Sequence, residues 1–116
     1  MSIEGLWAAE FGHAGAEWVG ANGGVVVLET NRIFGGDSGF AYQGHFTLIN
    51  GWFSGKLDVY RHREDAGFTD VFMTGADKFQ LTIEGRLQPD GTILGRLVYP
   101  EAAPIGVQLR KLADLP

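Results

Sequence analysis

Three histidines, His13, His45 and His62, are the side chains best suited to acid–base or metal chemistry in this chain of 116 residues. None belongs to a ligand motif. Zinc sites take three or four ligands at set spacings, and there is no H-E-x-x-H pair and no cysteine to supply a thiolate. His45 and His62 fall on strands expected to be neighbours and to point them outward, so the pattern predicts surface histidines that approach each other across a hairpin. Beyond Ser2 the serines are Ser38 and Ser54, and neither occupies a G-x-S-x-G elbow. The carboxylates fall mostly at turns or on polar strand faces, whereas glycoside hydrolysis needs two of them across one cleft. Asp37, after two glycines, has the position of a turn capper. The run GANGG has neither the lysine nor the helix start of a phosphate loop. Tyr60-Arg61-His62-Arg63 is basic with one aromatic, a solvated strand end rather than a nucleic-acid platform. The expectation is a protein without catalytic residues, cofactor or bound metal.

The elements around these residues have a two-residue period throughout. Gly5, Trp7, Ala9 and Phe11 alternate with Leu6, Ala8 and Glu10 in a first strand. HAGAEWVGANGG then reads as a loop with a short helical turn near Ala16 to Val19. Val25 to Glu29 is β-branched, and Thr30-Asn31 turns it into Arg32-Ile33-Phe34. Gly35-Gly36-Asp37-Ser38 is turn chemistry, because glycine reaches positive φ freely and Asp or Ser bonds back to nearby amides. Phe40 to Ile49 follows, then Asn50-Gly51, the pair best suited to a type I′ hairpin. The return strand runs from Trp52 to Arg63, with Phe53, Gly55, Leu57 and Val59 inward. Residues 64–78 read as a long loop containing a short strand at Val71-Phe72-Met73. Phe79, Leu81, Ile83, Gly85 and Leu87 line the next strand, Pro89-Asp90-Gly91 turns it, and Ile93, Gly95, Leu97 and Tyr99 line its partner. Ile105, Val107 and Leu109 line the last.

About eight strands and no helix, joined as successive hairpins, predict an all-β fold: one domain over residues 1–116, a small up-and-down antiparallel β-barrel that leaves no exposed edge. The 18 glycines are spread along the chain instead of forming a linker. Gly44, Gly55, Gly85 and Gly95 all fall inward, where a missing side chain marks either a bend in the sheet or room for a ligand. The net charge of −5 disfavours nucleic acid as a direct partner, since duplex affinity comes largely from Lys and Arg on phosphates. No run approaches the roughly 20 apolar residues of a membrane helix. The N-terminus lacks a charged-then-apolar leader, so a cytoplasmic location is expected.

The run GGDSGFAYQG, preceded by GGVVVLETNRIF and opened by GLWAAEF, resembles the GrlR family of type III secretion negative regulators. The resemblance implies a lipocalin-like barrel that dimerises and captures a transcriptional activator, with no catalysis. It also implies a partner-binding Glu-Asp-Glu-Asp loop after the YQG strand. Here that place holds Asn50, Gly51 and Trp52, the expected partner loop, and no carboxylate lies between Gly44 and Asp58.

Two functions follow. In one, the chain is a regulatory interaction protein, a homodimer through the outward-facing apolar residues Trp52, Tyr60, Leu94 and Val98. In the other, the barrel carries a small apolar ligand among the expected interior residues Trp7, Tyr42, Phe53, Leu57, Leu81, Ile83 and Leu97.

Overall fold

The computed structural model describes residues 3–13, 22–63, 76–100 and 102–116. Within them every regular element is a strand: β1 (Gly5–His13), β2 (Asn22–Glu29), β3 (Arg32–Gly36), β4 (Phe40–Ile49), β5 (Trp52–Arg61), β6 (Lys78–Leu87), β7 (Ile93–Val98) and β8 (Ile105–Ala113). Each pairs antiparallel with the next, and β8 pairs back onto β1, so the sheet closes as an up-and-down eight-stranded barrel. The helical turn expected near Ala16 to Val19 and the short strand at Val71-Phe72-Met73 lie outside the described residues.

Alternation is what closes this sheet with one face buried. On β5, Phe53, Gly55, Leu57 and Val59 are buried while Trp52, Ser54 and Lys56 are exposed; β6 repeats the pattern with Phe79, Leu81, Ile83 and Gly85. A one-residue slip would turn every one of these side chains to the wrong face, so register is fixed all the way round.

The turns divide the barrel's two ends. Asn50 and Gly51 have φ of 51° and 81°, the paired positive values of a type I′ hairpin. Thr30, also at positive φ (58°), is an unusual place for a β-branched residue; its amide donates to Glu4 Oε2 at 2.6 Å. These two turns, the turn at 88–92 and both terminal segments share one end. The 37–39 turn lies at the other end, with the end of β1, the start of β2, the end of β5, the start of β6, the end of β7 and the start of β8.

One turn differs from expectation. Gly35 and Gly36 belong to β3 and have ordinary extended backbones, so the reversal is confined to Asp37, Ser38 and Gly39. Their lack of a side chain serves close approach: a Cβ on Gly35 would collide with the Val25 carbonyl of β2. The same holds inside the barrel. A Cβ would meet His45 O at 2.6 Å from Gly55 and Leu94 O at 2.9 Å from Gly85, and at Gly44 and Gly95 it would strike the carbonyls of Lys56 and Glu84. Gly85 and Gly95 face each other across β6 and β7. These glycines let neighbouring strands coil tightly enough to close the barrel.

Large buried side chains occupy the barrel interior at the end with the tight turns. Trp7, Leu28, Phe46, Phe53 and Ile93 are among them, with Phe46 and Phe53 stacked at 5.0 Å between ring centroids. The indole Nε1 of Trp7 donates to Ile3 O at 2.9 Å, which satisfies its one polar atom and folds the N-terminal segment beneath the barrel.

Two glycine substitutions separate steric closure from turn geometry. Gly95→Ala is expected to lower stability by roughly 3 kcal/mol, because backbone rather than a side chain occupies the space. Gly51→Ala, with open space around it, should cost about 1 kcal/mol through its positive φ alone. Urea unfolding of both variants measures the difference.

Candidate functional site

Above the packed end the interior is not filled. A cavity of about 200 Å³ lies among side chains from every strand of the barrel. Its middle is aliphatic: Val26, Ile33, Leu57, Leu81, Ile83, Leu97, Val107 and Leu109 come from inward positions of six strands. Toward the end with the longer connections the lining becomes aromatic, with Phe11, Phe40 and Phe79. Phe79 meets Phe40 edge to face at 6.5 Å and Tyr99 at 5.6 Å, so the ring positions are mutually fixed.

The polar part of the lining is Asp37, Ser38 and Tyr42. Asp37 Oδ1 accepts from the amides of Gly39 (2.9 Å) and Phe40 (2.8 Å), and the Asp37 amide donates to Phe40 O at 2.9 Å. This is the capping role its sequence position predicts. The other carboxylate oxygen, Oδ2, accepts from the Tyr42 hydroxyl. Burial pushes the Tyr42 hydroxyl far above its ordinary 10.0, and the hydrogen bond to Asp37 and its charge push the same way. The phenol is therefore a neutral, committed donor. Sequence reasoning missed this pair; its one visible trace is that Tyr42, on an inward position of β4, lies five residues after a turn-capping acid.

The turn is also tied to β5. The His62 amide donates to Gly39 O at 3.0 Å, and its Nε2 lies 2.9 Å from Asp37 O. The histidines do not approach each other. His45 pairs with Lys56, and His62 lies six residues further along that hairpin, beyond the Phe40–Arg61 pair, roughly 20 Å away at strand rise. Alternation fixed their common face but not their separation. Among the described residues no three His, Asp or Glu side chains gather as a metal site.

Of the interior residues singled out from sequence, Tyr42, Leu57, Leu81, Ile83 and Leu97 line the cavity, while Trp7 and Phe53 belong to the packed end. Of the outward residues, Trp52 is 57% and Leu94 41% exposed, whereas Tyr60 and Val98 are half-buried. Trp52 pairs with Arg86 and Arg86 with Leu94, and Ile49, 64% exposed, flanks Trp52 on β4. These four form one cross-strand row beside the Asn50-Gly51 turn. The Arg86 guanidinium covers one face of the Trp52 ring at 4.3 Å. Tyr60 lies eight residues further along β5, roughly 27 Å away, beside Lys78. Ile49 escaped notice in the sequence because it ends a strand whose other outward residues are polar or, at Ala41, small. No protein-family model matches the chain, and no curated protein matches it.

The Tyr42 hydroxyl has a measurable consequence. An unfolded tyrosine ionises near pH 10, and the folded one well above it, so the stabilisation is complete below about pH 10 and is lost as pH rises beyond it. Above that point the wild-type protein should lose up to about 1.4 kcal/mol per pH unit through this group. Tyr42→Phe should lack that component, as denaturant midpoints measured across alkaline pH will show.

Proposed function

We propose that this protein binds a small apolar molecule inside its barrel. The supporting observation is the cavity itself: eight strands give an interior that side chains can just fill or that holds one small ligand, and here they fill only one end. A dry cavity of about 150 Å³ accommodates a benzene-sized molecule, so about 200 Å³ suits one substituted ring or a short acyl chain. The lining is mostly hydrocarbon, with its few polar groups gathered at one side, the usual composition of a ligand site. Lipocalin-like barrels need no catalytic group for such a role, and fold alone does not assign it.

A second reading, capture of a protein partner such as a transcriptional regulator by a homodimer, draws on the exposed row Ile49, Trp52, Arg86 and Leu94. Arginine stacked on tryptophan with aliphatic neighbours is the composition of an interface hot spot. The resemblance to GrlR regulators favours the same reading, with Asn50, Gly51 and Trp52 in place of an acidic loop. Such a surface would select its partner by an aromatic anchor rather than by charge. Tyr60 lies roughly 27 Å from Trp52, outside one small contact with the row, whereas Val98 is roughly 13 Å along β7 from Leu94, at its margin.

Either role suits the cytoplasm. No helix among the described residues is long and apolar enough to cross a membrane. The outer face carries Lys56, Asp58, Glu84, Arg96 and Arg110, where a lipid-embedded barrel needs an apolar band.

Val107→Phe places a ring in the cavity from β8, and it should abolish uptake of toluene, read by calorimetry, while circular dichroism stays that of a β protein. Uptake undiminished in this variant would locate the bound molecule elsewhere. Trp52→Ala should leave toluene binding unchanged. It should weaken self-association or partner capture by roughly 2 kcal/mol, measured by sedimentation and titration.

A further inference from the structure

We propose that the cavity selects ligands carrying a hydrogen-bond donor on an apolar body, a phenol or an alcohol, and excludes carboxylates. This rests on the reading of the cavity as a small-molecule site and specifies what that site takes.

Among the described lining residues the polar groups are nearly all acceptors. A phenol has one proton, and that of Tyr42 is committed to Asp37 Oδ2, so its oxygen faces a ligand only as an acceptor. Asp37 brings two oxygens and no proton. Oδ1 already holds the Gly39 and Phe40 amides, while Oδ2 holds a single partner and has capacity for a second. Ser38, the remaining polar lining residue, is exposed and its hydroxyl turns to either role.

Charge points the same way. No lysine or arginine is among the described lining residues. Arg61, at the same end, lies over the Phe40 ring at 5.1 Å and pairs with Asp77 Oδ1 at 3.4 Å, so its charge is already matched. A ligand carboxylate would enter an apolar cavity beside Asp37 with no counter-charge, giving up its hydration for like-charge repulsion. A ligand hydroxyl would instead exchange water for a charged acceptor, the stronger class of hydrogen bond.

The test uses three molecules of one shape: toluene, 4-methylphenol and 4-methylbenzoate, titrated by calorimetry into the full chain at neutral pH. Water holds 4-methylphenol better than toluene, so a cavity without an acceptor would bind it more weakly. The expected result is that 4-methylphenol binds about fivefold tighter than toluene and that 4-methylbenzoate binds at least about tenfold weaker than toluene. Asp37→Asn keeps one acceptor oxygen for the turn amides and should shrink both differences. Tyr42→Phe, which removes one acceptor oxygen but leaves Asp37 Oδ2 open, should narrow the preference for 4-methylphenol less than Asp37→Asn does. Equal affinity for toluene and 4-methylphenol, or tightest binding of 4-methylbenzoate, overturns the donor preference while leaving the cavity reading intact. No binding of any of the three at millimolar concentration overturns both.

Discussion

Closure of the backbone hydrogen-bond ladder between β1 and β8 is the constraint on which the rest of this molecule depends. An open sheet of eight strands would leave two edge rows of amides and carbonyls; here Trp7 to His13 pairs with Ile105 to Lys111, so β1 and β8 are not free edges. Closing a sheet this small demands strong coiling, and coiling brings backbones nearer than a Cβ allows at Gly44, Gly55, Gly85 and Gly95. Glycine in a strand forfeits packing and adds chain entropy to the unfolded state. The chain accepts that at four inward positions, since Cβ atoms there would force neighbouring strands apart.

Closure also sets the interior. With strand number fixed at eight, the space along the axis is nearly constant, so what occupies each level depends on side-chain size. Toward the tight-turn end the buried side chains include the large rings of Trp7, Phe46 and Phe53, the last two stacked at 5.0 Å. At the level of Leu57, Leu81, Ile83 and Val107 the side chains are aliphatic and shorter, and the axis stays empty. The cavity thus comes from the same alternation that makes the core, with smaller residues chosen at one level.

Much of this was legible in the sequence. Alternation located β1 and β4 to β8, β-branched content and the Thr30-Asn31 turn located β2 and β3 without an inward face, and Asn50-Gly51 marked its hairpin because few other pairs accept two positive φ values. Alternation carries no information on level along the axis, however. Trp7 and Leu57 both read as inward, and only the register shows that one packs an end while the other lines a cavity. The expected meeting of His45 with His62 failed for the same reason: face is local, whereas separation depends on pairing. Gly35-Gly36 read as a turn because glycine pairs usually serve φ; here they serve proximity to β2. The Asp37–Tyr42 hydrogen bond needed both facts together, a capped turn and the inward face of the strand that leaves it.

The Asp37 turn joins the interior to the outer shell of the barrel. Its carboxylate caps the turn with one oxygen and receives Tyr42 at the cavity wall with the other, while its carbonyl lies against the His62 side chain at the end of β5. A ligand that bonds Oδ2 therefore acts on a residue already held by three strand ends. β5 is also the strand that carries Trp52 at its far end, on the outer face, in rigid register with β4 and β6 along its whole length. Interior and exterior sites then share four strands, β4 to β7, but no side chain. Occupancy of the cavity can bias the outer row only by shifting strand register or the turn itself, and a closed ladder resists the first. The two proposed sites are thus energetically independent unless the Asp37 turn moves, which makes that turn, and not the barrel wall, the place where any coupling between ligand and partner would reside.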